Sequence, residues 1–377
     1  MNNNDLALCL EHAAAAREKV ATATPQQVAA VLAAPRADVG SLAVLLSAAA
    51  DGMLEAMAGR AQRLTRSHFG RTVALYAPLY LSNYCPGGCS YCGFAADRQQ
   101  SRRRLEHAEI ETELQAIHHL GLRDVLLLTG ERCPEADFDY LALGVEIAAR
   151  RFPAVGVEAF PMTEVEYARL VELGCISLTL YQETYDRARY DEVHRWGPKR
   201  DYAARLEAPE CALRAGMRSV GIGALFGLAD PVSEALALFQ HALYLKRKYW
   251  KSGVMISFPR LCSEQGGFSA EYEIGDQWLA KVIWAFRLCL PDVPLVLSTR
   301  ERPAFRDGMA GVGVSRMSVA SRTSVGGYAD GGAGGDDRQF SINDDRGIDE
   351  FCAMLHARGL QPVFKNWDAA LRDGAAA

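Results

Sequence analysis

The sequence predicts a parallel (β/α)8 barrel of the TIM type, with a helical extension before it and a short tail behind. Two observations predict this fold. Eight short runs rich in β-branched and aromatic residues recur between Val73 and Ser321, and amphipathic helical patterns separate most of them. Strands that alternate with helices pair in parallel, and eight of them close most economically into a barrel. An open doubly wound sheet is the alternative, because periodicity alone does not distinguish the two.

Residues 1–70 read as an Ala-rich helical extension, with mixed apolar and polar faces near 5–20, 26–34 and 40–64. The pattern changes at Val73, where VALYAPLYL opens the first strand. The others are DVLLLTG (124–130), VGVEAFP (155–161), CISLTLYQE (175–183), SVGIGALFGL (219–228), VMISFPRL (254–261), PLVLSTRE (294–301) and VGVSRMSVAS (312–321). Between the first two, Ile110, Leu114, Ile117 and Leu120 fall on one helical face. EVEYARLVELG and VSEALALFQHALYLKRKYW behave likewise, whereas the short connection 302–311 gives the weakest helical pattern. Residues 71–325 therefore form the barrel. The run GGYADGGAGG at 326–335 reads as a loop. A helix, a stop at Gly359 and the strand-like QPVFKNW follow, so 326–377 is a barrel-associated tail.

The 377 residues carry 41 Lys+Arg against 46 Asp+Glu, a net charge of -5. That balance gives no electrostatic case for nucleic acid or a membrane surface as partner. Hydrophobic residues at 49% and charged ones at 23% exclude a disordered chain. No apolar run is long enough for a membrane span, and the first residues lack the basic start of a secretory signal. The expected location is cytoplasmic. Ten cysteines are too sparse for a disulfide scaffold.

Three of those cysteines stand together in Asn83-Tyr84-Cys85-Pro-Gly-Gly-Cys89-Ser-Tyr91-Cys92-Gly-Phe94, a C-x3-C-x2-C pattern. Thiolates are soft ligands that suit Fe–S clusters, zinc or Cu(I). A structural zinc site needs a fourth ligand, and neither a second C-x2-C nor a paired His motif accompanies this one. Three thiolates can each hold one iron of a cubane and leave the fourth iron open to a substrate or cofactor. The loop follows the first strand, at the rim where barrel active sites lie.

C-x3-C-x2-C with an aromatic before the third Cys resembles the radical S-adenosylmethionine (SAM) signature. Further stretches narrow the resemblance: RAQRLTRSHFGRTVALYAPLYLSNYC, LLLTGE, YQETYDRARY, RLEAPECALRAG, LSTRERPAFRD, VGGYAD and LQPVFKNWD. Together they span about 60 to 368 and are similar to the tyrosine lyase, or 2-iminoacetate synthase, family of thiamine-thiazole biosynthesis.

The resemblance implies that Cys85, Cys89 and Cys92 hold a 4Fe-4S cluster and that SAM chelates the open iron. It implies that Tyr91 packs on the adenine and that the backbone of Thr129, Gly130 and Glu131 binds the SAM ammonium. Glu183 matches the ribose-binding position, and Arg205 matches the arginine that pairs with the SAM carboxylate. The Gly221–Gly227 strand is expected to approach the adenine. Arg300 resembles the anchor for an amino-acid carboxylate, with Tyr80 and Ser318 as further pocket positions. Without the resemblance, Glu183 reads as a helix cap. Arg260 could pair a carboxylate in the rim, and Cys133 lies near the Gly-Glu turn.

The implied reaction removes a hydrogen atom from the amino group of L-tyrosine and cleaves its Cα–Cβ bond to 2-iminoacetate (dehydroglycine) and p-cresol, with SAM giving 5′-deoxyadenosine and methionine. Implied partners are a one-electron reductant such as flavodoxin or ferredoxin, and a thiazole synthase that receives the product. Alternatives are a tryptophan lyase-type enzyme and a non-catalytic Fe–S electron carrier or scaffold. The hydrogenase-maturation tyrosine lyase needs cysteines for a second cluster, and Cys352 is the only cysteine after Cys289.

Overall fold

The computed structural model describes residues 4–38, 40–262, 267–330 and 337–368. The glycine run at 331–335 and residues 369–377 of the tail lie outside the described residues. The extension comprises α1 (Asn4–Thr22), α2 (Pro25–Ala33), α3 (Ser41–Leu46) and α4 (Leu54–Phe69), with a 3-10 turn at Ala48–Met53. Then follow β1 (Thr72–Tyr80), α5 (His107–His119), β2 (Asp124–Leu128), α6 (Phe138–Ala149), β3 (Ala154–Glu158), α7 (Glu164–Glu172) and β4 (Cys175–Thr179). Next come α8 (Arg187–Val193), α9 (Tyr202–Arg214), β5 (Ser219–Gly223), α10 (Pro231–Lys248), β6 (Gly253–Ser257), α11 (Asp276–Cys289) and β7 (Leu295–Leu297). The chain closes with α12 (Pro303–Met309), β8 (Arg316–Ser318), α13 (Ile348–Ala357) and β9 (Gln361–Val363).

The eight strands pair in parallel in sequence order, and β1 bonds both β2 and β8. That double pairing closes the barrel and excludes the open sheet. The stagger of closure leaves Thr72–Ala74 below the reach of β2, and β9 pairs there instead. A sheet edge that would otherwise stay open is thereby covered.

Successive strand residues point to opposite faces. Val73, Leu75, Ala77 and Leu79 of β1 join Val125, Leu127, Val155, Val157, Leu178 and Ile222 in the large core beneath the helices. The other parity faces the lumen: Tyr76, Tyr80, Leu126, Glu158, Thr179, Ser257, Val296 and Arg316. Barrel interiors are usually packed with Val, Ile and Leu. This one is polar, so its charges need partners. Near the barrel floor Arg316 donates two hydrogen bonds to Asp124, at 2.7 and 2.9 Å, and lies over the Tyr76 ring.

Several helix starts are locally encoded. Asp137 caps α6 and Thr163 with Glu166 forms a capping box on α7. The short 302–311 connection does hold a helix, α12, which starts with Pro303 at its first position. The extension packs on α10 and α11. Arg60 of α4 ties it together by donating to the Val31 and Leu32 carbonyls at the end of α2. Lys281 of α11 reaches Asp51 at 2.6 Å.

The strands are shorter than their apolar runs because the runs continue into the rim. Gly311, just before the eighth run, and Gly313 within it adopt φ of 70° and 104°, which curls the start of the run into a turn and leaves only Arg316–Ser318 as strand. Breaking a buried ion pair strands the remaining charge. Asp124→Asn is therefore expected to lower unfolding stability by about 3 kcal/mol, read as a reduced urea midpoint; a midpoint within error of the wild type would contradict it.

Candidate active site

The cysteine loop leaves the top of β1 and is held by backbone contacts to the end of α8 and the segment that follows it. Gly88 N–H donates to the Trp196 carbonyl at 2.9 Å, and Ser90 N–H to Val193 at 2.9 Å. A Cβ on Gly88 would lie 2.3 Å from the Trp196 indole, so only glycine permits this approach. Gly130, just past β2, packs as closely, because its Cβ would lie 2.4 Å from the Tyr84 carbonyl oxygen.

Cys85, Cys89 and Cys92 are free thiols. Burial, the largest influence on each, raises all three, Cys85 to about 11. Buried thiols of this kind become thiolates when a metal takes the proton's place. A Cβ on Gly87 would sit 3.5 Å from Cys85 Sγ and 3.8 Å from Cys89 Sγ, so its absence opens a cradle between two thiols. Glu131 N–H donates to Cys85 Sγ at 3.4 Å, and Gln339 Nε2 points at Cys92 Sγ from 3.8 Å. Three soft ligands around a cradle suit a 4Fe-4S cluster with one open iron.

Beside the loop lies a buried ion quartet. Arg205 Nη1 donates to Glu131 Oε1 at 2.9 Å, and Arg205 Nη2 stands 3.6 Å from Glu183 Oε1. Lys199 Nζ donates to the same Glu183 oxygen at 2.6 Å. Arg205 Nε is fixed on the Tyr181 carbonyl at 2.7 Å. Burial pushes the Glu183 carboxyl up, but Lys199 and then Arg205 outweigh it and hold the group below the usual carboxylate range. Glu183 adopts φ 69°, a left-handed conformation that costs a side-chain-bearing residue roughly 1–2 kcal/mol. It does not cap the next helix; Asp186 does. Glu131 Oε2 is buried with no hydrogen-bond partner among the described residues, which marks a place for a ligand donor.

Tyr91 is buried, and its hydroxyl meets His194 Nε2 at 2.8 Å. His194 Nδ1 lies 2.8 Å from the Tyr190 carbonyl and so carries the proton, which leaves Nε2 to accept from Tyr91. Burial first, then Lys199, lowers His194 to about 3 and keeps it neutral.

The second part of the site is a cavity of about 670 Å³ of empty space at the top of the lumen, counted out to its mouth. It brings together Tyr80, Arg300 and Ser318. Tyr80 O–H donates to Gln339 Oε1 at 2.7 Å, so Gln339 joins this cavity to the cysteine loop. Ser318 Oγ accepts from Thr299 N–H at 3.1 Å and keeps its own proton to donate. The Arg300 guanidinium lies 3.4 Å over the Phe340 ring and has no hydrogen bond or ion pair to its side chain among the described residues. Arg260 is different: it is paired with Glu301 and Asp276 and serves the rim.

Gly221 and Gly223 make room for neighbours. Added Cβ atoms would lie 2.9 Å from Thr179 Oγ1 and 2.8 Å from the Tyr181 ring. Cys133 closes a local turn with Ala136. Sequence reading missed Lys199, His194, Gln339 and Glu158. Only Glu158 left a signal, as a lone carboxylate on the last residue of a barrel strand.

Residues 79–240 match the Radical SAM superfamily, and residues 257–361 match the Biotin and Thiamin Synthesis associated domain. The 2-iminoacetate synthase of Escherichia coli strain K12 is 42% identical over 328 residues, 87% of this chain and 86% of that protein. The 2-iminoacetate synthase of Salmonella typhimurium is 41% identical, over 88% of this chain and 87% of its own. This chain belongs to the 2-iminoacetate synthase family. It is a radical SAM enzyme of thiamine-thiazole synthesis. The FeFe-hydrogenase maturase HydG of Carboxydothermus hydrogenoformans superposes with a TM-score of 0.84 at 32% identity, over 95% of this chain and 83% of that one. The barrel thus has a solved counterpart across almost its whole length. Among the described residues, no helix is long and apolar enough to cross a membrane.

Two outcomes test the site. Cys89→Ala is expected to lose most of the iron that reconstitution gives the wild type, measured by iron assay and the visible Fe–S absorbance; full iron retention would remove Cys89 from the ligand set. The Glu158 carboxyl is raised to about 7, chiefly by burial. A raised folded value means that stability is lost as pH climbs from the unfolded carboxyl range to about 7 and is level above it. Glu158→Gln should therefore gain thermal stability over the wild type across that window and show no further gain above it. A difference that does not vary with pH would contradict the unpaired carboxylate.

Proposed function

We propose that this chain cleaves the Cα–Cβ bond of L-tyrosine to 2-iminoacetate and p-cresol, with SAM as co-substrate. One observation carries the reading: an unpaired Arg300 faces a lumen cavity that Gln339 connects directly to the three-thiol loop. An amino acid anchored there lies next to the cofactor end of the barrel.

Cys85, Cys89 and Cys92 hold the 4Fe-4S cluster. Glu131, with Thr129 and Gly130, receives the SAM ammonium, Arg205 its carboxylate and Glu183 its ribose, while Tyr91 packs on the adenine. When bound, the cluster and SAM supply one-electron cleavage of a sulfonium bond and, through it, hydrogen-atom abstraction.

The protein contributes position and exclusion of water. Arg300 clamps the tyrosine α-carboxylate with a planar fork that a lysine lacks. Tyr80 and Ser318 offer hydroxyls to the bound amino acid. Tyr76, Leu126, Leu128 and Val296 give its ring an apolar wall. Electrons come from a small reductant of the flavodoxin or ferredoxin class. 2-Iminoacetate hydrolyses in water, so direct transfer to a thiazole synthase shortens its exposure.

Anaerobic turnover with reconstituted cluster, SAM, reductant and tyrosine should give p-cresol and 5′-deoxyadenosine by mass spectrometry. 5′-Deoxyadenosine without p-cresol would reject tyrosine and make tryptophan the next substrate to try. Arg300→Ala removes a charged hydrogen bond worth roughly 1.5–3 kcal/mol, so the KM for tyrosine should rise by about tenfold to a hundredfold. An unchanged KM would reject the clamp.

A further inference from the structure

We propose that Glu158 receives the α-ammonium group of the substrate amino acid and takes its proton, so that the amine enters hydrogen abstraction neutral. This rests on the tyrosine-lyase reading above.

Glu158 is the last residue of β3 and lines the same cavity as Arg300, Tyr80 and Ser318. Its carboxylate has no hydrogen bond or ion pair among the described residues. That sets it apart from its surroundings. Glu131 and Glu183 are matched by Arg205 and Lys199, Glu301 by Arg260, and Asp124 by Arg316. Two opposite charges in this cavity lack such a partner, Arg300 and Glu158. An unpaired cation and an unpaired anion facing one desolvated cavity match the two charges of an amino-acid zwitterion. The aromatic and aliphatic wall between them suits an uncharged ring.

The surroundings also suit a group that both accepts and returns a proton. Burial raises the Glu158 carboxyl most, Glu183 raises it further, and Arg300, Lys199 and Arg205 oppose. The tyrosines that share its cavity, Tyr76, Tyr80 and Tyr181, are held in their protonated form by burial. None of them competes as a base near neutral pH. In the transfer, one N–H bond of the ammonium breaks heterolytically and one O–H bond forms on Glu158. The electron pair stays on nitrogen, and nothing is oxidised or reduced. An ammonium has no lone pair, and taking a hydrogen atom from it would leave a cationic radical beside Arg300. The neutral amine avoids that charge.

The test uses reconstituted protein with SAM, wild type and Glu158→Gln, and two ligands: tyrosine and 3-(4-hydroxyphenyl)propanoate, which lacks the amine. Equilibrium dialysis above neutral pH should show tyrosine bound about tenfold more weakly by the variant, with the propanoate bound equally by both proteins. Wild-type tyrosine affinity should rise as pH passes through the Glu158 titration, and the variant should show no such rise. The p-cresol rate should fall by about a hundredfold or more, with 5′-deoxyadenosine formation less affected. Equal weakening of both ligands, or a variant that keeps the wild-type pH dependence, overturns the inference. If Glu158→Gln loses iron, Glu158→Asp decides. It keeps a carboxylate and should retain the pH-dependent rise, and a flat response overturns the inference. Absence of p-cresol from the wild type would instead reject the tyrosine reading itself.

Discussion

The ion quartet of Glu131, Glu183, Lys199 and Arg205 joins segments that are far apart in the chain: the residues after β2, those after β4, the turn at Pro198–Arg200, and α9. Two acids and two bases cancel, which allows four charges to share a site closed to water. The quartet sets where α9 sits over the barrel. It also sets the left-handed turn at Glu183, and with it the direction in which Tyr181 enters the lumen. The cysteine loop rests beside it, on Val193 at the end of α8 and on Trp196 just before the Pro198–Arg200 turn. Removing any one charge would leave another buried and unmatched, so the cofactor end of the molecule stands on a single electrostatic constraint.

The lumen follows the same logic with a different outcome. Strand parity delivers polar side chains to the interior, and an interior of low dielectric tolerates them only when they are matched. Asp124 with Arg316 closes the floor in this way. Higher up, the matching stops. Arg300 stacks on Phe340 and has no ion pair among the described residues, while Glu158 is held partly protonated by its own burial. Strain concentrated at one level of a barrel is the physical mark of a site built for a charged ligand.

Much of the barrel was legible in the chain because strand and helix periodicities are local. The eight runs, the Gly359 stop and the cysteine loop could all be read in short windows. So could the positions of Glu131 and Glu183, because each directly follows an apolar run and therefore lies on the rim. The limits were local too. The eighth run looked like a ten-residue strand until two left-handed glycines shortened it. The short connection after β7 gave little helical periodicity yet folds into α12, where Arg306 is buried against Asp344.

By itself the sequence determined the alternation of strands and helices, the three thiols on one loop and the resemblance to a radical SAM lyase. These follow from short-range spacing, which the chain carries whatever its fold. Only the tertiary structure decided which distant groups meet. His194 faces Tyr91 across 103 residues, and Gln339 bridges Tyr80 and Cys92 across 259 and 247. Nothing in a window around Lys199, His194 or Gln339 distinguishes them from surface residues. Their roles come from barrel closure, which brings strand ends and loops to one rim. Burial at that rim then makes each charge depend on the partner it meets.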